Sequence, residues 1–441
     1  MKYKIISGLL LLLFIGVSIT LYETDRKYSL LKKNIKNKEI LIQDALSYIN
    51  KNNIDHELKI KNRSDDIIFR KQKVEKLQIF KKSFQFATYK NQNQFVRGIN
   101  NYFPGSGFLQ TYNNHLFVIS AVGIIASKEI GDDEDLSLKQ IDNNINSFVS
   151  KSELEKDNWF SIKDLLVYDN KIFISFTNEY KKDCWNTSIV YAKLNFDKLI
   201  FEPFFVPEEC VKSKGNIDNE FNGHQSGGRM IAWGKNILLS TGDFRLRNHA
   251  QKKDTVFGKI IKINLDNSKN KFEIISLGHR NPQGLLIDEK ENFILSTEHG
   301  PRGGDEINLN LKPLQDIKNF GWPISSYGEH YGGKDSLKNK EKYIKYPLYK
   351  SHKNHGFVEP IHYFVPSIGI SEIIKVNNKN YIVSSLKDKS IYSFQINDGK
   401  INNLKRIEIG ERIRDMFFDK KGSKIYLFLE DTASIGIINF E

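Results

Sequence analysis

The chain is poor in the residues that build small cross-linked scaffolds, Pro-rich linkers and Met-lined binding surfaces. Its 441 residues include two cysteines, three methionines and ten prolines. Cys184 and Cys210 are too few for a disulfide framework or a four-thiolate zinc site. Neither sits in a recognisable nucleophile context, which argues against a catalytic thiol. Charge is plentiful but unevenly placed. Of the net +13, Lys2 and Lys4 supply two, and residues 23–82 carry sixteen Lys/Arg against nine Asp/Glu. The remaining 359 residues are nearly balanced, so the basic arm reads as a membrane-proximal stalk and not as a nucleic-acid clamp.

The amino terminus has the one long hydrophobic run. Ile5 to Tyr22 is uncharged and follows the basic start Met1–Lys4. Its 18 residues suit either a membrane span or a secretory signal with a small-x-small site at Gly16–Ser18. The excess of Lys/Arg after the segment opposes export by the positive-inside rule, but long domains translocate despite that bias. The expectation is a periplasmic or otherwise extracytoplasmic protein, with residues 1–22 as signal or signal-anchor. In that compartment Cys184 and Cys210, on either side of a strand-like run, are expected to form a disulfide, the alternative being two unrelated buried thiols.

Residues 23–82 read as a partly helical stalk, because Leu30, Leu31, Ile35, Ile42, Leu46 and Ile49 recur near helical spacing. From residue 83 to 441 a different phrase recurs: a polar residue, then four or five apolar or β-branched ones, often closing on Ser or Thr. It occupies His115–Ser120, Lys171–Phe176, Asn236–Thr241, Asn292–Thr297, Asn380–Ser385 and Lys424–Leu429. Six copies at about 60 residues each are the size of four-stranded propeller blades with insertions. The chain is therefore expected to be all-β, a six-bladed β-propeller behind a signal segment and stalk. A β-sandwich does not explain the sixfold recurrence.

Four polar clusters stand beside these phrases. His224, in Gly223–Arg229, precedes Asp243 by 19 residues, the spacing of a hairpin. A carboxylate that orients an imidazole makes a general base, although a purely structural His–Asp bond has the same spacing. Arg280 and Asn281, on the Pro/Gly-stiffened loop Gly278–Gly284, suit the clamping of carboxylates or carbonyls, or a loop knit by its own hydrogen bonds. The carbonyls and acids of Glu298–Glu306 suit a hard cation such as calcium. Lys387, Arg412 and Arg414 form the fourth cluster. The two arginines alternate along a strand and share a face. In a channel they want a polyanion, on an outer face only water.

Together, His224–Arg229, Gly278–Gly284, Glu298–Leu309 and Asn319–Pro323 resemble the soluble quinoprotein glucose/sorbosone dehydrogenases, most of all their aldose sugar dehydrogenase branch, over residues 100–441. The resemblance implies a six-bladed propeller that holds pyrroloquinoline quinone (PQQ) and Ca2+ at its channel mouth. It implies His224 as base with Asp243 as partner, and Arg280 and Asn281 beside the quinone. Lys387, Arg412 and Arg414 would pair with the three PQQ carboxylates. Carbonyls of Gly300 and Pro301 would hold the calcium, and Glu306 a second, structural one. The implied reaction oxidises an aldose at C1 to a lactone and passes electrons to an external acceptor, a cytochrome or quinone. Membrane attachment would run through residues 5–22. The chain departs from the family at Gly223, at the extra glycine of Gly227–Gly228, at His299 and at Phe364, which unsettles the sugar but no cofactor ligand. The rivals are a non-catalytic, hedgehog-interacting-protein-like propeller that binds a partner, and a calcium-dependent lactonase.

Overall fold

The computed structural model describes residues 66–92, 106–131, 134–150, 153–154, 159–266, 271–332 and 337–440. The apolar run 5–22 and the helical spacing at residues 30–49 lie outside them. No helix among the described residues is long and apolar enough to cross a membrane. The described chain is nearly all strand, with Leu337–Lys345 a nine-residue helix.

Each of the six recurring phrases falls on a strand that is second in its run of neighbours. Five of them show the same burial, one half-buried residue followed by five buried ones. Such a strand has a hydrogen-bonded partner on either edge and a neighbouring sheet against each face. Both faces are dry, so the sequence runs apolar instead of alternating. The strands form antiparallel meanders, such as Ile162–Tyr168, Lys171–Lys181, Cys184–Lys193 and Glu202–Phe205, or Ile370–Lys375, Asn380–Ser385, Ser390–Asn397 and Lys400–Glu408. The first strands of successive meanders pack on one another in order: Gly107–Tyr112, Ile162–Tyr168, Gly227–Trp233, Pro282–Asp288, Ile370–Lys375 and Ile413–Asp419. The last of these packs back on the first. The architecture is all-β and propeller-like.

One part of the ring begins earlier than the sequence suggests. Residues 67–82, read there as stalk, form the strand Ile67–Ile79 and open a hairpin with Lys82–Asn91. Gln85–Tyr89 pairs with Ile435–Asn439 at the chain's end, and Ile67–Arg70 pairs with Asp135–Leu138. The hairpin thus joins the first and last meanders into one ten-stranded sheet. Ile67, Phe69, Leu77 and Ile79 are buried against these neighbours, while the strand's middle is polar and open. That mixed pattern hid its period of two. Cys184 and Cys210 are joined in a disulfide that ties a strand to the loop 26 residues on.

The ring positions the site through a repeated irregularity. Five first strands shift register with their neighbour near their first residues: between Ile162 and Asp164, Gly227 and Met230, Pro282 and Gly284, Ile370 and Ile373, and Ile413 and Asp415. A β-bulge breaks the alternation of side chains and re-aims them. Here it lets successive residues on one strand both face the channel.

Candidate active site

At one end of the channel lies a cavity of about 280 Å3 lined by Lys163, His224, Gln225, Arg245, Arg280, Asn281, Arg412 and Arg414, with Glu430 as its only carboxylate. Gly300, Pro301, Tyr331 and Ser367 complete one wall. Most of the residues expected from sequence therefore converge, from three different meanders. Lys387 does not: it is exposed and absent from the lining, which its neighbour Leu386 reaches. Asp243 and Glu306 are buried behind the lining.

His224 sits on a turn fixed by Asn222, whose Oδ1 accepts the His224 amide at 2.8 Å. Its Nδ1 is buried with no hydrogen-bond partner among the described residues. Burial, then the charges of Lys163, Arg414 and Arg245, lower its pKa to about 3. The ring is neutral at any ordinary pH. A free base held neutral among cations can take up a proton only when something offsets those charges.

The expected His224–Asp243 bond is not formed. Asp243 Oδ2 instead accepts the Trp322 indole at 2.7 Å, and Oδ1 accepts the Arg245 amide at 2.8 Å. Gln225, with its amide turned to satisfy its neighbours, donates to Asp243 Oδ1 (3.1 Å) and accepts from Arg280 (2.9 Å) and Arg245 (3.0 Å). The hairpin spacing brought Asp243 near, but Gln225 stands where the histidine was expected. Burial raises the Asp243 pKa, against the opposing pull of Arg280 and Arg247.

Arg280 is held at several points. Its backbone amide donates to Glu298 at 2.7 Å, a guanidinium NH to the His299 carbonyl at 2.9 Å, and its face lies 5.4 Å over Trp322. Its Nε is buried and unpaired among the described residues. Glu298 is fixed in turn by His279 Nδ1 (3.2 Å) and Asn308 (2.7 Å). Asn281 turns its Oδ1 to the Gly227 and Gln283 nitrogens, each at 3.1 Å, so it braces the turn that follows His224.

The loop after Glu298 is drawn tight by Asp305, which accepts from the Gly300 amide (3.1 Å), from Gly369 (2.7 Å) and Ile370 (3.1 Å), and from the Ser367 hydroxyl. A Cβ on Gly300 would lie 2.2 Å from two carbonyl oxygens, which explains the glycine. The Pro301 carbonyl accepts the Tyr331 hydroxyl at 3.0 Å. Glu306 lies 3.3 Å from His352 Nε2 and shares the Asn308 amide with Glu298, and no group of three or more His, Cys, Asp or Glu placed to hold a metal occurs among the described residues. That wall therefore offers a hard cation no carboxylate, only backbone carbonyls and the Tyr331 and Ser367 hydroxyls, which suits one that shares the oxygens of a bound ligand.

Arg412 and Arg414 share the carboxylate of Glu430, at 2.8 and 2.7 Å. Burial opposes its ionisation, but Arg414 and Arg412 hold its pKa below the usual range. Sequence reasoning missed Glu430, Lys163, Gln225 and Arg245. The signals were present: Glu430 follows the sixth strand phrase directly, and Lys163-Asp164 interrupts an otherwise apolar strand.

One step along the same strands the charge inverts. Arg229, 7% exposed, is ringed by Asp164 (2.8 Å), Glu372 (2.6 Å) and Asp415 (2.7 Å). Burial, with Asp415 adding to it and Arg229 opposing, raises the Asp164 pKa to about 7; Glu372 is raised well above its usual value for the same causes.

The sequence profile of the Glucose / Sorbosone dehydrogenase family matches residues 166–437. Aldose sugar dehydrogenase YliI of Escherichia coli (strain K12) is 31% identical over 235 residues, 48% of this chain and 59% of that protein. Quinoprotein glucose dehydrogenase B of Acinetobacter calcoaceticus is 35% identical over 138 residues, 25% of this chain and 28% of that protein. The matches thus span less than two thirds of those relatives. The apo soluble aldose sugar dehydrogenase of Escherichia coli superposes with a TM-score of 0.60 at 20% identity, over 81% of this chain and 100% of that one. The PQQ-bound aldose sugar dehydrogenase of Streptomyces coelicolor superposes at 0.52 and 16% identity, over 80% and 98%. At these identities the superpositions establish the shared fold.

Proposed function

The chain belongs to the glucose/sorbosone dehydrogenase family, and from that premise we propose that it is a PQQ- and calcium-dependent dehydrogenase that oxidises an aldose at C1 to a lactone. The observation that carries the reading is the charge of the cavity: five cationic side chains and one carboxylate line it, and His224 Nδ1 and Arg280 Nε are left unpaired. Buried charges and polar atoms without partners are costly unless a ligand completes them. A tricarboxylate with quinone carbonyls fits that donor set. We read the ring as six blades, supported by the recurrence of the strand phrase and the closed succession of first strands.

In this reading Arg412 and Arg414 pair with cofactor carboxylates and Arg280 and Asn281 border the quinone. The Gly300 and Pro301 carbonyls hold calcium. PQQ would supply the hydride acceptor and calcium a Lewis acid for its carbonyl oxygen. His224 receives the proton of the C1 hydroxyl. Arg280, already fixed by Glu298, His299 and Trp322, presents its charge without reorganising, the arrangement that stabilises developing negative charge best. Asp243 acts on the site through Gln225, Arg245 and Trp322. The substrate is a small sugar, and an external cytochrome or quinone takes the electrons. The uncharged apolar run at residues 5–22, read as signal or anchor, and the disulfide support an extracytoplasmic location.

The test is to add PQQ and calcium to the purified apo-protein, record the quinone absorption, and then add aldoses. Binding followed by bleaching of the oxidised band is expected. A spectrum identical to free PQQ would overturn the assignment.

A further inference from the structure

Lys163 is a charge with no visible reason to be where it is. It is 8% exposed, makes no hydrogen bond or ion pair with the described residues, and opens only on the cavity. Room for it is made by a residue that the family resemblance left unexplained. Gly228, the additional glycine after His224, has φ +113°, and a Cβ there would lie 2.3 Å from Lys163 Cβ and 2.9 Å from Cγ. Any side chain at 228 would evict the lysine's stem. The bulge between Ile162 and Asp164 then points Lys163 to the cavity while Asp164 turns to Arg229. Two local departures from regular strand structure, the backbone of Gly228 and the bulge, thus serve one ammonium group.

That ammonium lies within electrostatic reach of Arg414, Glu430 and His224. The facing groups are cationic apart from the neutral His224 and from Glu430, which Arg412 and Arg414 already occupy. Burial, then Arg414, lower the Lys163 pKa to about 7, with Glu430 opposing. An unpaired ammonium in such a place is tolerated when an incoming anion pairs with it. The place fits a third carboxylate beside the two that Arg412 and Arg414 would hold, the role that the exposed Lys387 does not fill in this structure.

Resting on the dehydrogenase reading above, we propose that Lys163 is an additional carboxylate-binding residue of the cavity, admitted by Gly228. The carboxylate has two sources, the cofactor or an acidic sugar, and the test separates them. Lys163→Met keeps the stem and removes the charge. Against wild type, PQQ is titrated into the calcium-loaded apo-protein, and glucuronate and glucose are titrated calorimetrically. A loss of PQQ affinity of about tenfold or more assigns Lys163 to the cofactor. Unchanged PQQ affinity with a similar loss for glucuronate, and none for glucose, assigns it to the substrate. Apo Lys163→Met should also melt higher, by roughly 2–6 °C, because an unpaired buried charge is gone; a residue with only a structural role would melt lower. Equal PQQ and glucuronate affinities in the two proteins overturn the proposal. If wild type itself binds no PQQ, the dehydrogenase reading fails, and the glucuronate arm and the melting shift still decide on Lys163.

Discussion

Two layers of the channel, one residue apart on the same strands, carry opposite charge. Lys163 and Arg414 face the cavity, and their successors Asp164 and Asp415 face Arg229. The upper layer has many cations around one carboxylate; the lower has three carboxylates around one cation. The lower layer satisfies itself: Arg229 also donates to the Gln283 carbonyl, and Asp164 and Asp415 accept the Met230 and Leu109 amides at 2.6 and 2.8 Å. The upper layer leaves Lys163, His224 Nδ1 and Arg280 Nε unmatched. A closed network stabilises a ring, whereas an open one with an excess of one sign is kept for a ligand.

Removing Arg229 should break the comparison most severely. Arg229→Met leaves three buried carboxylates without their cation, and urea unfolding of the apo-protein should show a loss of about 3–5 kcal/mol or no folded protein at all. A loss below about 1 kcal/mol would show that the lower layer is not a closed network. In the upper layer, His224→Ala should cut turnover with saturating aldose by about a hundredfold or more while PQQ still binds. Unchanged turnover removes His224 as base.

Arg414→Ala should weaken PQQ by about tenfold to a hundredfold. From charge repulsion alone the apo-protein would be expected to gain stability from this change. The shared carboxylate reverses the sign, since Glu430 loses one of two partners, and the apo form should lose roughly 1–3 kcal/mol in urea. A more stable apo form would mean that Glu430 does not neutralise the pair.

The smallest effect is a pH profile. Asp164 and Glu372 have folded pKa values above their unfolded ones, so the folded state binds more protons and stability falls as pH rises from about 4 toward 7. Lys163 has a folded pKa of about 7, below its unfolded value, so stability rises again from about 7 toward 10. His224, lowered to about 3 in the folded state, pulls the other way between about 3 and 6.5, and Lys259, also lowered to about 7, shares the alkaline arm, so each arm is read as the difference between a variant and the wild-type apo-protein. Asp164→Asn should flatten the acid arm alone. If both arms stay when both sites are neutralised, other groups set the profile.

The strand phrases were legible because a strand covered on both faces has no choice but to run apolar, as His115–Ser120 and Asn236–Thr241 do. Arg280, Arg412 and Arg414 were legible because motif or alternation placed them together. The Lys163–Asp164 division was not: period-two reasoning sends neighbours to opposite faces, and only the bulge brings both to the channel. Asp243 was placed near His224 correctly, but its partner depends on which of two adjacent side chains, His224 or Gln225, turns inward. The hairpin from Ile67 escaped notice because its middle is solvent-facing and its charge resembles that of the segment before it.

That hairpin also sets an order of events. Gln85 meets Asn439, 354 residues later in the chain. The seam cannot close until the strand Ser434–Asn439 has been made and, in an exported protein, has crossed the membrane. Contacts of such sequence separation form late and slowly. Arg412, Arg414 and Glu430 belong to the same last meander. The anion pocket is therefore assembled only as the ring shuts, and a cofactor that needs those arginines is loaded into a finished protein rather than folded around.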